Sequence, residues 1–308
     1  MTVAIVILVV LLAAVNGAND VPKGVATLAG AGVTRYRTAI LWGTVITLVG
    51  SLVSLALASK MTALFSKGIV SAPPRPAFAL AVLSGAAAWV LFATITRLPV
   101  STTHAIIGAL FGAGILFAAS SVQFAALGTR VALPLLASIA VAYGLSWLLT
   151  LIPTRMTPEC ICVDPQQPVT AQITGSDTMA LTTTGPAIPT VSVSAGGAAE
   201  CAVHAAATRR FSLVNGMHWV TSGATSFARG LNDSPKIYAI GAFALVPLVL
   251  PRTGLLLTVA ITMAVGGMVG GMRIARRLGE GVVRMSHVEG FKANLTTSLL
   301  VGVGANLG

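Results

Sequence analysis

Runs of uncharged, apolar residues about 20 residues long recur along this chain, and each is long enough to cross a bilayer as a helix. Only 9% of the residues are charged, whereas soluble domains carry roughly 25%. The chain therefore lacks the polar surface that a soluble enzyme needs. Its hydrophobicity also excludes general disorder, which requires low hydrophobicity and high charge. The sequence predicts an all-α polytopic membrane protein.

The apolar segments form two sets with a polar stretch between them, which predicts three parts. Residues 1–152 form a first membrane repeat, 153–210 a linker rich in Ser, Thr and Pro, and 211–308 a second membrane repeat. The linker holds four of the eight acidic residues and has arginines at its ends, so we expect it to be cytoplasmic, solvated and partly disordered. A further polar stretch, 273–290, carries four arginines and is interpreted as a solvated cytoplasmic loop.

The net charge of +11 is interpreted as lysines and arginines concentrated in cytoplasmic loops, where they meet anionic lipid. A basic tract interleaved with aromatic residues, which would suggest nucleic acid, is not found in the sequence. The first basic residue, Lys23, follows the first apolar segment, so that segment is predicted to run from outside to inside. We expect a multi-pass protein of the plasma or inner membrane that binds no nucleic acid.

Two short motifs inside apolar sequence are nearly identical. Residues 19–23 read Asn-Asp-Val-Pro-Lys, and residues 232–236 read Asn-Asp-Ser-Pro-Lys. Their aspartates, Asp20 and Asp233, are the two acids that lie outside both polar stretches. Chance agreement at these two positions is improbable, so the chain is predicted to be an internal duplication.

Each motif is expected to break a membrane helix. Its proline removes a backbone donor and disfavours helix at the preceding residue, and Gly17 and Gly230 permit a break. The apolar segments near 21–33, 104–119 and 235–250 are also short for a span. Short, interrupted segments at matching positions of two halves indicate the broken helices of a transporter. Unwound backbone at membrane depth is tolerated only where it lines a cavity or is buried in protein.

The motifs offer ligands for ions of both signs. Freed carbonyls, the Asn amide and the Asp carboxylate are oxygen ligands for a small cation, and a helix that restarts after the proline offers N–H groups to an anion. Ionisable residues within a membrane are functional candidates by default. The alternatives are structural: each Asp pairs with the Lys three residues on, or each Lys extends to the interface. The candidates are Asn19, Asp20, Lys23, Asn232, Asp233 and Lys236.

A hydroxyl-rich element follows Pro99 and opens the next apolar segment. Ser101, Thr102 and Thr103 precede His104 there. Hydroxyls and free N–H groups at a helix start form a suitable cradle for an oxyanion. The alternative is an N-cap, which explains one hydroxyl but not three.

These motifs resemble the signatures of the inorganic phosphate transporter (PiT) family, at residues 17–21, 230–234 and 99–104. Residues 289–296 resemble the family segment that precedes a second Ser-Thr-Thr-His element. The resemblance implies a secondary transporter rather than an enzyme, without a cofactor. Such a transporter moves phosphate with a coupling cation, Na⁺ or H⁺, by alternating access. The resemblance also implies two inverted-topology repeats and a homodimer. By the same resemblance, ion and substrate are bound by Asn19, Asp20, Asn232 and Asp233, together with Ser101, Thr102 and Thr103.

The chain departs from the family pattern in two ways. The family commonly reads Asn-Asp-Val-Ala-Asn, but here both copies have Pro and Lys at the last two positions. Such a Lys could replace the coupling ion at the Asp or add positive charge for the oxyanion. The spacing from Asn19 to Ser101, applied from Asn232, places the second hydroxyl element beyond Gly308, so we expect an incomplete second repeat that lacks its C-terminal spans.

Two alternative functions and one metal site stay open. Sulfate or another oxyanion is an alternative substrate, and a non-transporting, phosphate-sensing membrane subunit is an alternative function. Cys160, Cys162, Cys201 and His204 form a candidate zinc site in the linker, the alternative being reduced cytosolic thiols. The odd number of cysteines argues against a disulfide framework. His218 is predicted to be a packed core residue.

Overall fold

The computed structural model describes residues 1–57, 62–71, 75–151, 160–165, 191–196, 210–245 and 251–307. The chain forms two compact units, one of Met1–Pro153 with Met217–Gly308 and one of Thr154–Gly216. The division into two repeats and a linker stays a prediction.

Eight long helices account for most of the described residues, and we number them in chain order. They are α1 (Thr2–Gly30), α2 (Tyr36–Leu57), α3 (Pro76–Ile95), α4 (Thr102–Ala118), α5 (Leu133–Leu151), α6 (Leu213–Leu245), α7 (Arg252–Arg276) and α8 (His287–Leu307). Shorter helical turns lie at Leu64–Gly68, Ala119–Ser121, Phe124–Leu127, Gly128–Ala132 and Arg277–Val282. Within the described ranges, six stretches are long and apolar enough to cross a membrane: Thr2–Gly30, Tyr36–Ser54, Pro76–Ile95, Thr102–Ser121, Phe124–Leu151 and Arg252–Val282. The predicted all-α membrane class is confirmed.

The unit Thr154–Gly216 contains a small antiparallel sheet, where no strand was predicted. Its strands are β1 (Cys160–Pro165), β2 (Val191–Gly196) and β3 (Arg210–Ser212), in the order β2-β1-β3. Ser, Thr and Pro dominate the composition of this stretch and hide short alternations of β-branched residues, which favour strands. Val163 of β1, for example, lies opposite Val193 of β2.

Helices α1 and α6 run unbroken through both motifs, so the predicted helix breaks are wrong. Pro22 lies inside α1 and Pro235 lies inside α6. A proline removes one N–H donor, and packing against neighbouring helices can hold the remainder in register. Gly271 of α7 leaves space for this packing, because a Cβ there would lie 3.2 Å from Pro22 Cγ. Residues 21–30 and 235–245 are therefore parts of longer helices.

Most of the polar stretch 273–290 is helical, so its interpretation as a loop is corrected. Helix α7 continues through Arg276, and a π-helical turn covers Arg277–Val282. Arg, Leu and Glu are good helix formers, and proline is absent from this sequence. Helix α8 then begins with a capping box, in which the Ser286 N–H donates to Glu289 Oε2 at 2.8 Å and the Glu289 N–H to Ser286 Oγ at 3.3 Å. These hydrogen bonds lower the pKa of Glu289.

Helices α1 and α7 approach to backbone distance through a glycine on each. A Cβ on Gly17 would lie 1.9 Å from the carbonyl oxygen of Met263, and a Cβ on Gly266 would lie 1.9 Å from that of Ala14. Small residues allow such close approach in membranes, where van der Waals packing drives helix association. The largest apolar core surrounds this contact and joins α1, α3, α4, α6 and α7.

The same reciprocal contact joins α2 to α6. A Cβ on Gly230 would lie 2.2 Å from the Thr47 carbonyl oxygen, and a Cβ on Gly50 would lie 2.2 Å from that of Phe227. Gly17 and Gly230 occupy the same position relative to the two motifs. The glycine two residues before the Asn of each motif therefore packs directly against the backbone of a neighbouring helix. The inverted topology of the repeats stays a prediction.

Candidate functional site

A cavity of about 350 Å³ lies where the two motifs meet the hydroxyl element. The cavity is lined by Asp20, Lys23, Pro99, Val100, Ser101, Thr102, Thr103, Arg229, Asn232, Asp233 and Val301. The predicted ion- and substrate-binding residues all line it except Asn19 and Lys236, which bond to lining residues. Residues far apart in sequence are thus brought to one place by α1, α6 and the start of α4.

Asp20 is held between two cations that come from different helices. Its side chain is nearly buried, and Lys23 Nζ donates to its Oδ1 while Arg229 Nη1 donates to its Oδ2 at 3.0 Å. Lys23 also donates to the Val100 carbonyl oxygen at 2.5 Å. Both carboxylate oxygens of Asp20 are therefore engaged by positive charge.

Asn19 fastens the loop before α4 to α1. Its Nδ2 donates to the Leu98 carbonyl oxygen at 3.0 Å, and its Oδ1 accepts from the Val100 N–H at 3.0 Å. One turn earlier, the buried Asn16 accepts a hydrogen bond from the Thr102 hydroxyl. The hydroxyl element is thus fixed to the first motif by side-chain hydrogen bonds on both sides of Pro99.

The three hydroxyls of the element have three different partners. Ser101 is the N-cap of α4, because its Oγ accepts from the His104 N–H at 3.3 Å. The Thr102 hydroxyl bonds to α1, and the Thr103 hydroxyl accepts from Lys236 at 2.5 Å. The capping alternative therefore describes Ser101 and not its neighbours. The start of α4 also directs the positive end of its dipole at the cavity.

The second motif forms longer contacts. Asp233 is 5% exposed, and its Oδ1 accepts from Lys236 Nζ and from Asn232 Nδ2, each at 3.4 Å. Lys236 is 2% exposed, so it does not extend to the membrane interface as one alternative proposed. Its Nζ also lies 5.7 Å from the centre of the Phe65 ring, a cation–π distance.

Positive charge exceeds negative charge around this cavity. In the described part of the chain, three cations (Lys23, Arg229 and Lys236) pair with two carboxylates (Asp20 and Asp233). Guanidinium and ammonium groups, hydroxyls and a helix N-terminus are all donors that suit an oxyanion. A small cation at Asp20, by contrast, would compete with Lys23 and Arg229 for the carboxylate oxygens.

Arg229 and Asn16 were missed by the sequence analysis, although both lie at the motifs. Each stands four residues, about one helical turn, before the motif aspartate, so the two residues occupy equivalent positions in the duplication. A comparison of the copies for identical residues does not find this position, because the copies differ there. A search for polar residues at equivalent positions would have found both.

A second buried polar network lies on α1, α6 and α8. His218 is fully buried, with its Nε2 3.1 Å from Thr27 Oγ1. Asn294 Nδ2 donates to the same hydroxyl oxygen at 2.9 Å. His218 is therefore packed inside the protein, as the sequence predicts.

The candidate zinc site stays a prediction. Cys160 and Cys162 lie two residues apart on β1, whereas Cys201 and His204 lie outside the described residues. Among the residues that the structure describes, no three His, Cys, Asp or Glu side chains are grouped so that they could hold a metal ion.

Comparisons with known proteins match most of the chain to one family. The model of the phosphate transporter family matches residues 16–308. A Mycobacterium tuberculosis protein named "Probable low-affinity inorganic phosphate transporter" is 24% identical over 301 residues, covering 95% of this chain and 61% of that protein. The Arabidopsis thaliana "Inorganic phosphate transporter 2-1, chloroplastic" is 31% identical over 115 residues, covering 35% of this chain and 19% of that protein. The chain thus spans less than two thirds of either relative.

A solved structure supports the fold. The chain superposes on the structure named "The sodium-dependent phosphate transporter" with a TM-score of 0.72 and 20% sequence identity. The alignment covers 99% of this chain and 84% of that one. At this identity the likeness shows a common architecture.

Proposed function

The chain belongs to the phosphate transporter family, and from this premise we propose that it moves inorganic phosphate across a membrane through the cavity between its two motifs. It is a multi-pass membrane protein, and its family is one of transporters rather than enzymes. The observation that carries the proposal is the excess of cations over carboxylates in a cavity enclosed by apolar helices. Alternating access and a homodimer stay predictions.

Phosphate binds where donors from three elements converge. Arg229 and Lys23 line the cavity and bring the positive charge, and the Arg guanidinium can offer two N–H groups to two phosphate oxygens. Thr103 adds a hydroxyl beside the N-terminus of α4. A bound anion shares these cations with Asp20, so phosphate binding loosens the ion pairs that hold the empty cavity together.

Charge balance favours monovalent phosphate over sulfate. With its five ionisable groups charged, the empty site has one positive charge in excess. H₂PO₄⁻ makes this site neutral, whereas a divalent anion leaves one negative charge without a partner, which is costly in a buried site. Phosphate can take up a proton near neutral pH and sulfate cannot. Binding of the monovalent form amounts to carrying a proton with divalent phosphate.

The lysines replace a mobile coupling cation in this proposal. Lys23 and Lys236 place ammonium groups at the two motif carboxylates, where a sodium ion would need oxygen ligands. The proton is then the coupling ion, of the two that the family resemblance allows. Sodium is the second candidate, because the similar solved structure is named as sodium-dependent.

Transport in liposomes tests these points together. We expect the purified chain to take up ³²P-phosphate faster with an inward proton gradient, equally well in sodium and choline buffers, and with little competition from tenfold sulfate. Protein-free liposomes are the control. Dependence on sodium would overturn the role of the lysines but not phosphate transport. Equal competition by sulfate would favour a general oxyanion permease, and saturable binding without flux would favour a sensing subunit.

A further inference from the structure

A second cavity, separate from the proposed transport site, is lined mostly by arginines. Its volume is about 850 Å³, within the range of ligand pockets, roughly 300 to 1,000 Å³. It is lined by Thr96, Arg97, Arg273, Arg276, Arg277, Glu280, Gly281 and Arg284. Among the described residues, five arginines therefore surround it with one glutamate, and it shares no lining residue with the motif cavity.

One wall of this arginine cavity is the end of α7 and the π-helical turn Arg277–Val282, and α1 holds it in place. Gly279 lies against α1 so closely that a Cβ would be 2.7 Å from the Ala26 carbonyl oxygen. The Arg276 guanidinium lies 6.0 Å from the centre of the Tyr36 ring, at the start of α2. These contacts fix the backbone that carries four of the arginines.

The other wall contains Arg97, in a backbone conformation that L-residues rarely adopt. Its φ of 61° is the one positive φ at a non-glycine residue in the described part of the chain. Helix α3 ends there in a Schellman motif, with Arg97 N–H donating to Thr94 O at 3.2 Å and Leu98 N–H to Ala93 O at 2.8 Å. Glycine is the usual residue at this position, and strained residues occur where function retains them. Arg97 lines the cavity from this helix end.

Among the described residues, the five arginines of this cavity lack an ion-pair partner, although Glu280 lines the same cavity. By contrast, Lys23, Arg229 and Lys236 of the motif cavity all form ion pairs. Several like charges around one space repel one another, and a bound anion relieves that repulsion. Guanidinium groups bind phosphoryl oxygens through paired hydrogen bonds, and basic pockets at the cytoplasmic ends of membrane helices bind anionic headgroups.

We propose that the arginine cavity is a second anion site, which binds a phosphoryl group from either free phosphate or the headgroup of an anionic phospholipid. The five arginines supply the donors, and Arg97 closes the site from the loop after α3. This loop continues into Leu98–Val100, which bonds to Asn19 and Lys23 of the first motif. If the proposed transport function holds, an anion bound here therefore acts on the transport site through that loop.

Equilibrium binding to the purified chain in a neutral detergent tests the site. We expect two bound ³²P-phosphate ions per chain if free phosphate is the ligand, and one for Arg97→Gly and for the double variant Arg276→Gln/Arg277→Gln. Arg252→Gln, which removes the same charge at the other end of α7, is the matched control and keeps two. Arg97→Gly should unfold at an equal or higher temperature, because glycine adopts this φ without strain.

A lipid arm distinguishes the two sources of the phosphoryl group. If a headgroup is the ligand, native mass spectrometry detects one retained phosphatidylglycerol per chain, which Arg97→Gly loses and Arg252→Gln retains. A single phosphate that Arg97→Gly abolishes would support the arginine cavity while counting against the motif cavity. The proposal is overturned if neither phosphate nor phosphatidylglycerol binding differs between the arginine-cavity variants and Arg252→Gln.

Discussion

The two motif copies differ in their surroundings far more than in their sequence. In the first copy, Asp20 is paired with two cations, and Asn19 bonds to two backbone groups of the hydroxyl loop at 3.0 Å. In the second copy, the contacts to Asp233 from Lys236 and Asn232 are both 3.4 Å long. Hydrogen bonds of 2.7–3.2 Å are typical, so the carboxylate of Asp233 is held more weakly than that of Asp20, although Lys236 and Ser234 of the second copy form short hydrogen bonds to Thr103 and Ser51.

This difference indicates a division of labour between the copies. The first copy is tied to the loop before α4 and forms a framework that cannot move without breaking several hydrogen bonds. The second copy forms one side-chain hydrogen bond to the hydroxyl element among the described residues, from Lys236 to Thr103. If the proposed transport function holds, we infer that the contacts of Asp233 rearrange during transport while those of the first copy stay in place.

The residue one turn before each aspartate makes a different connection in each copy. Asn16 bonds to Thr102, which belongs to its own half of the chain, whereas Arg229 reaches across to Asp20 of the other half. The first aspartate is therefore neutralised partly by the second copy. A bound anion that attracts Arg229 weakens the ion pair between Arg229 and Asp20. Anion binding therefore changes the contact between the two halves.

The largest expected effect comes from removing the two aspartates separately. Asp20→Asn leaves Lys23 and Arg229 without a counter-charge, and breaking a buried pair costs about 3–5 kcal/mol. Where that cost falls on the transport-competent arrangement of the site, initial phosphate uptake is lowered by more than about 100-fold. Asp233→Asn removes only 3.4 Å contacts, and Lys236 keeps Thr103, so we expect a loss of about tenfold. Initial uptake rates in liposomes with equal amounts of protein measure both.

Asp20→Glu is the matched control, because it keeps the charge and alters only its position. Thermal unfolding in detergent separates a loss of folding from a loss of transport. Equal losses of uptake in Asp20→Asn and Asp233→Asn would show that the two copies do not differ in function. Normal uptake by both variants would show that the motif cavity is not the phosphate site.

A smaller effect is expected when the copies are made more alike. Arg229→Asn gives the second copy the residue that the first has at the equivalent position, Asn16. A hydrogen bond to a charged group contributes about 1.5–3 kcal/mol, so phosphate affinity should fall by about 10- to 100-fold. Arg229→Lys keeps the charge but loses the forked pair of donors. Its phosphate affinity should therefore lie between those of the unaltered chain and Arg229→Asn. Unchanged phosphate affinity in Arg229→Asn would show that Arg229 serves only to hold Asp20.

The membrane helices are the part of the fold that could be predicted from local sequence. The length of the apolar runs predicted membrane helices, and the described helices bear this out. The continuity of α1 through Pro22 could not be predicted in this way, because it depends on Gly271, which lies far away in sequence. The rule that proline breaks a helix describes an isolated helix, and the neighbouring helices of this protein supply the missing stabilisation.

The candidate site could be predicted because the chain repeats itself. Duplication singled out Asp20 and Asp233 among many residues, and the described cavity brings both together with the hydroxyl element. The pairing of each aspartate with the lysine three residues on was one alternative from the sequence, and both ion pairs are present. The second cation of Asp20 could not be predicted, since nothing local indicates that it comes from α6. Arg229 was not predicted because the two copies differ at its position. Such differences are what make the surroundings of the two copies unequal.

The smallest expected effect separates the two threonines of the hydroxyl element, one serving each copy. Thr102→Val removes the donor to Asn16 and leaves its buried carbonyl oxygen without a partner, which costs about 1–3 kcal/mol of folding stability. Thr103→Val removes the acceptor of a hydrogen bond from the buried Lys236, which keeps only its 3.4 Å contact with Asp233, so we expect a similar loss of stability, about 1.5–3 kcal/mol. Both threonines line the cavity, but Thr102 donates its hydroxyl to Asn16, whereas Thr103 accepts from Lys236 and can donate to an anion, so phosphate affinity should fall by about two- to fivefold in Thr103→Val and less in Thr102→Val. Thermal unfolding and phosphate binding, measured on the same preparations, should therefore show similar losses of stability but unequal losses of affinity. Ser restores each hydroxyl and is the control at both positions. If both variants lose stability and affinity in the same proportion, the first copy is no more a fixed framework than the second, and the division of labour between the copies fails.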